Sequence, residues 1–315
     1  MTADDRATTL SIASIAGLRV GHWTNLDAGT GCTVVLCEEA LVVGVDARGA
    51  APATRETDVL RPGNLVGRAH AILLTGGSAF GLDAATGVMR FLELRDVGFQ
   101  THAGKVPIVS AAALFDLGLG RGDVRPDAAA GYAACEAASA VVLEGTVGAG
   151  TGATVAKRHG AAGAIKGGIG TAARQIDDGV IVAALVAVNA VGSVYDPWTR
   201  AAVAVPRTEA NTRTWSPMLV GENTTIGVIA TNARLDSAGV NRLAMLGHDG
   251  LAMAIRPAHT LYDGDTLFAV SLPTSDTPVA DPVSLGEAAV GVVAEAVVRG
   301  VRAATSLHGI PSARP

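Results

Sequence analysis

The apolar residues of this chain come in short runs, at 41–45, 71–74, 180–188, 225–230 and 266–272, each bounded by Gly, Asp or Pro. Runs of that length, rich in β-branched residues and Leu, read as strands, several of them buried on both faces. Longer stretches with helical spacing lie between them, at 80–94, 128–142, 237–255 and 285–304. The last reads as capped by Ser284 with Glu287 three residues on, a capping box, and its face of Leu285, Ala289, Val292, Val293, Ala296 and Val297 is suited to a sheet. The alternation lacks the spacing of a doubly wound dinucleotide fold, and no internal repeat is present. A layered α/β sandwich fits better. With 39 glycines and 3% aromatics, its core must be Ala, Val, Leu and Ile with backbones packed closely.

At 315 residues the chain suffices for one large domain or two. A net charge of -5 without a basic run argues against nucleic acid as a partner. Cys32, Cys37 and Cys135 have no metal-ligand spacing and read as buried thiols in a reducing compartment. Residues 1–9 lack a signal-peptide core, and the apolar runs are shorter than the ~20 residues that span a bilayer. A cytoplasmic protein without membrane segment, metal or cofactor is expected.

Chemistry concentrates at a few polar residues. The segment Gly221, Glu222, Asn223, Thr224, Thr225 leads into an apolar run, placing a hydroxyl at a strand's edge. If the bond before Thr224 breaks, its new α-amine, with a pKa of about 8, can act as base for its own hydroxyl. Read locally, the two threonines simply start a strand. Residues 201–220, with Pro206 and Pro217, look like a linker just ahead of that bond. Lys166 stands among glycines, where backbone can approach and desolvate it; a surface lysine is the plainer reading. Lys157, beside Arg158 and His159, reads as solvated. Asn189 ends the run 180–188, as an oxyanion donor or a turn residue. Asp263 and Asp265 precede the run 266–272, on one face if the strand extends back to them, or in a turn. The turn Thr75, Gly76, Gly77, Ser78 offers backbone N–H groups to an anion, or serves helix packing.

Taken in order, VGAGTGA (147–153), IKGGIGTA (165–172), VNAVGS (188–193), NTTIGVIATNA (223–233) and YDGDTLFAVS (262–271) resemble the DmpA-type aminopeptidases, with the nylon-oligomer hydrolases as a close branch. The resemblance begins at GLRVGHWT (17–24) and covers most of the chain. It implies a four-layer αββα sandwich like that of N-terminal-nucleophile hydrolases and ornithine acetyltransferases, in one catalytic domain, 1–315. It also implies self-cleavage into 1–223 and 224–315. On the matching positions Thr224 is the nucleophile and Asn223 the new C-terminus; Lys166 moves protons, Asn189 serves the oxyanion, and Asp263 and Asp265 hold Thr224. Tyr132 is the nearest candidate for the family's site tyrosine. The aspartates, with Asn before Thr, lean toward the nylon-hydrolase branch. Cleavage of small peptides or linear oligoamides by a homo-oligomer, such as a tetramer of cleaved protomers, is the expected activity. Ornithine-acetyltransferase-like acyl transfer and a non-catalytic binding protein are the alternatives.

Overall fold

The computed structural model describes residues 10–176, 179–207, 222–274, 277 and 280–313. Its main sheet has nine strands, β1 (Arg19–Asn25), β2 (Thr30–Ala47), β3 (Ala53–Arg55), β4 (Arg68–Thr75), β5 (Val109–Ala113), β6 (Gly168–Ile176), β7 (Val180–Asn189), β8 (Thr224–Thr231) and β9 (Thr266–Ser271). Their order is β6-β7-β8-β9-β2-β4-β5-β3, with β1 also on β2. The pairs β8–β9 and β4–β5 are parallel. The 18-residue β2 explains how one sheet makes two layers. Its first half, 30–36, pairs with β1, its second, 42–47, pairs with β9, and the register against β4 slips between Leu36 and Leu41. The strand bends there, and the two halves of the sheet face each other.

Between the halves Val35, Ile72 and Leu74 meet Leu185, Ile226, Val228 and Phe268. Helices α1 (Ala84–Glu93) and α2 (Ala128–Glu136) cover one outer face, over Val34, Leu73 and Val109. Helices α3 (Ser237–Ala254) and α4 (Pro282–Ala303) cover the other, over Val182, Ala184, Val186, Ile229 and Leu267. Four layers result, αββα. In β7 the even residues 182–188 face the helices while 183, 185 and 187 face the second layer. That double burial is why the strand reads as an unbroken apolar run. Helix α4 lies so close to β6 that a Cβ on Gly170 would run into the backbone of Ala296 and Gly300.

Some boundaries differ from expectation. Helix α4 is capped by Asp281, whose carboxylate accepts the Ser284 N–H at 2.8 Å, so Ser284 lies inside the first turn with Pro282 ahead of it. Helix α2 ends at Glu136 rather than 142, and a 3-10 turn, Ser78–Asp83, precedes α1. Strands β1, β5 and β6 and the first half of β2 were not among the expected runs, because Gly, Ala and Thr dilute their apolar pattern. Within the segment read as a linker, Ala202–Ala204 forms a short strand against Ser193–Tyr195. The rest of that segment from 208 onward, and the N-terminal residues 1–9, lie outside the described residues.

Candidate active site

Strand order gathers the candidate residues at one end of the inner layers. Strands β7 and β8 run antiparallel with Asn189 opposite Thr224, and Asn223 forms an isolated bridge to Asp263 ahead of β9. All four side chains, and that of Asp265, are buried. The Thr224 hydroxyl stands 2.5 Å from the carbonyl oxygen of Asn223, and the same oxygen accepts the Gly264 N–H at 2.8 Å. The Asn223 carbonyl oxygen thus receives two donors, the Thr224 hydroxyl and the Gly264 N–H. Residue 264 has to be glycine, since a Cβ there would lie 2.8 Å from the Thr224 hydroxyl and strike the carbonyl of Ala51.

The two aspartates grip the surroundings of Thr224. Asp265 accepts the Thr225 N–H at 2.7 Å on one oxygen and His259 Nδ1 at 2.7 Å on the other. Asp263 accepts the Thr260 hydroxyl at 2.6 Å and its N–H at 2.9 Å, with the Val191 N–H at 3.3 Å on its second oxygen. Both precede β9 instead of lying on it. Burial, then the charge of Asp265, pushes the Asp263 carboxyl up.

The two lysines have different surroundings. Lys166 is completely buried, with Nζ donating to the carbonyls of Ala153 (2.6 Å), Thr151 (2.9 Å), Gly150 (3.4 Å) and Gly167 (3.4 Å). It staples the glycine-rich loop 147–153, and burial lowers its ammonium to about 7. Lys157 is not solvated as expected. Its Nζ lies 2.9 Å from Asn189 Oδ1, 3.4 Å from Asn189 O and 3.5 Å from Glu222 O. The cause is local: Ala156 takes a left-handed conformation (φ 59), and N–H groups of Ala156 and Lys157 bond to Gly192 and Val191, turning the side chain inward while Arg158 stays outside. Burial lowers Lys157 to about 7 against the opposing pull of Asp263, Glu222 and Asp116.

Asn189 ties these parts together, accepting from Thr154 N (3.0 Å) and Lys157 on Oδ1 while Nδ2 donates to Phe115 O at 2.8 Å. Tyr132 is not brought to this site. It lies on α2, edge to face with Phe91 at 5.5 Å, in the outer helical layer.

Asp116 was missed by sequence reasoning. The turn read as an anion cradle does hold an anion, the chain's own: Gly77 N–H donates to Asp116 at 2.7 Å and the Thr30 hydroxyl at 2.8 Å. Burial pushes Asp116 up to about 6, and these bonds and Lys166 oppose the rise. A pocket of about 160 Å³ is lined by Phe115, Asp116, Leu119, Lys157, Glu222 and Asn223. Asn223, on the acyl side of its bond to Thr224, therefore lines a cavity that also has Phe115 and Leu119 in its walls and Asp116, Glu222 and Lys157 as its charged residues. Among the described residues no group of three or more His, Cys, Asp or Glu could hold a metal ion.

The frame and the site define a class, the amide hydrolases of N-terminal-nucleophile fold. The structure matches the L-aminopeptidase D-Ala-esterase/amidase of Ochrobactrum anthropi, described as a prototype for the serine aminopeptidases and a variant of that fold. Their TM-score is 0.74 at 22% identity, over 96% of this chain and 88% of the other. A Burkholderia β-aminopeptidase gives a TM-score of 0.67 at 24% identity, over 93% and 86%. At those identities the likeness is one of fold. Peptidase family S58 matches residues 11–314, and the chain belongs to that family. An uncharacterised aminopeptidase of Mycobacterium tuberculosis is 44% identical over 96% of this chain and 97% of its own. A 6-aminohexanoate-oligomer endohydrolase of Kocuria sp. is 33% identical over 88% and 79%. The protein is a hydrolase acting on amide bonds.

Proposed function

We propose that the chain is a self-processing amide hydrolase whose nucleophile is Thr224, acting on small peptides or oligoamides. The observation that carries this reading is the Thr224 hydroxyl against the Asn223 carbonyl, with Gly264 N–H on the carbonyl oxygen. In processing, Thr224 Oγ1 attacks the Asn223 carbonyl carbon as Lys157 takes the hydroxyl proton. The oxyanion is held by Gly264 N–H. The C–N bond breaks, the leaving nitrogen takes the proton, and water hydrolyses the ester, leaving an Asn223 carboxylate and a free Thr224 amine. In turnover Thr224 attacks a substrate amide in the same way, its own amine or Lys157 moving the proton. Asp116 favours substrates with a free amine, since an ammonium beside it restores the charge that burial disfavours.

Intact mass tests the reading. Purified protein should give two fragments, one ending at Asn223 and one starting at Thr224, while Thr224→Ala should remain a single chain of 31.5 kDa without amidase activity. An unprocessed wild type that hydrolyses amides would refute self-activation.

A further inference from the structure

His259 lies outside the expected site residues, yet its geometry is tied to that site from three directions. Its backbone sits in the left-handed region (φ 56), a conformation a histidine adopts at a cost of order 1 kcal/mol unless its surroundings enforce it. That conformation puts two donors on one oxygen: the His259 N–H at 3.1 Å and ring Nδ1 at 2.7 Å both reach Asp265 Oδ2. The other oxygen of Asp265 takes the Thr225 N–H at 2.7 Å, one peptide beyond Thr224. Ring, carboxylate and strand start form one connected line.

The remaining contacts define the protonation state that suits this geometry. His259 Nε2 points at the His248 carbonyl at 3.4 Å, an atom that can only accept, while Nδ1 faces a carboxylate. Both ring nitrogens therefore face acceptors, as an imidazolium requires. His248, packed edge to face on the same ring at 4.9 Å, is the opposite case. Its Nε2 bonds to Asp46 O at 3.0 Å and its Nδ1 is buried without a partner, which fits a neutral ring.

We propose that His259 is a positioning residue for amide cleavage, holding Asp265 so that this carboxylate fixes the start of β8 and with it the Thr224 hydroxyl. The proposal rests on the reading of Thr224 as nucleophile. The groups facing His259 are Asp265, the ring and carbonyl of His248 on α3, and Arg48 just beyond β2; Asp263 adjoins Asp265, and Arg48 pairs with Asp46 and Asp249. Burial pulls His259 down, but its bond to Asp265 and that carboxylate's charge outweigh it and raise the pKa above the ordinary value. A raised pKa means that the proton is kept to higher pH and lost as pH rises through the folded value, so the clamp weakens on the alkaline side.

The test follows fragment formation by intact mass, and hydrolysis of an aminoacyl anilide by the processed enzyme, across pH in wild type, His259→Gln and His259→Leu. The expected result is processing slowed by on the order of 10- to 100-fold, with kcat reduced more than KM and the alkaline fall in rate absent in His259→Gln. Gln keeps a neutral donor for Asp265 and should be processed faster than Leu. If Leu fails to fold, by circular dichroism, His259→Gln decides alone. Wild-type rates and an unchanged alkaline limb in His259→Gln would overturn the proposal. Thr224→Ala separates the two claims: if it still self-cleaves, the nucleophile assignment falls, and if it is inert while His259→Gln behaves as wild type, only the role of His259 falls.

Discussion

In the proposed self-processing the nitrogen of Thr224 is still a peptide nitrogen without basicity, so the first proton must go to another group. The proposal gives that role to Lys157, whose Nζ lies on Asn189, opposite Thr224 in the sheet, and on the carbonyl of Glu222, one peptide upstream of the proposed cut. Its pKa is lowered by burial from 10.5 to about 7, so the free amine is present above that value and lost below it. Fragment formation should accelerate as pH is raised through about 7. In Lys157→Met it should slow by about 100-fold or more and lose that acid limb, measured by intact mass over time. Lys166→Met should keep the limb and instead lower stability by about 1–3 kcal/mol, because buried carbonyls lose their donor. An acid limb that vanishes with Lys166 and survives loss of Lys157 would reverse the two roles. Asn189, Thr224 and the aspartates, which the structure brings together, stand out in the sequence because each is a polar residue at the end of an apolar run. Asp116 carries the same signal, three residues after β5. Lys157 carries none, since its direction depends on the left-handed turn at Ala156, which residue type does not announce.

At the scale of elements, legibility follows the side chains that face the core. Strands β7, β8 and β9 and helix α3 stand within a residue or two of expectation, their Val, Ile and Leu buried on one or both faces. Strand β6 was read only as a glycine segment, because its glycines belong to the contact with α4. A Cβ at Gly170 meets Ala296 and Gly300 backbone, and neither side can give way as a flexible side chain would. Gly170→Ala should therefore destabilise the protein by about 1–3 kcal/mol. Denaturant melts in the Thr224→Ala background, where both proteins are single chains, would read this. A midpoint unchanged by the substitution would mean that α4 can lift off β6 at no cost, and that the two do not pack backbone to backbone. The N-terminus of α4 departs from expectation for a different reason. Asp281 and Ser284 are both good caps, and Pro282, favoured at a first helical position, marks the earlier one.

For the whole molecule, the proposed cut has a consequence that the layer arrangement decides. The fragment 224–315 would hold β8, α3, β9 and α4, and the fragment 1–223 the other seven strands of the sheet with α1 and α2. Neither is a domain. Strand β8 is paired along its length with β7, residues 224–231 against 182–189, and β9 with β2, residues 266–271 against 42–47. Helix α4 covers β6 and β7 of the other fragment, and the inter-layer core mixes Val35, Ile72 and Leu185 from one side of the cut with Ile226, Val228 and Phe268 from the other. The bond itself lies just outside the β8 ladder, so breaking it removes no interstrand register beyond the isolated bridge of Asn223 to Asp263. Separating the fragments would expose apolar surface on both faces of four strands, at about 25 cal/mol for each Å². The processed protein should elute from a sizing column as one particle containing both fragments, and the fragments should part only in denaturant, where neither recovers activity until they are mixed and refolded. Fragments that separate under native conditions would show that the sheet is not continuous across the cut.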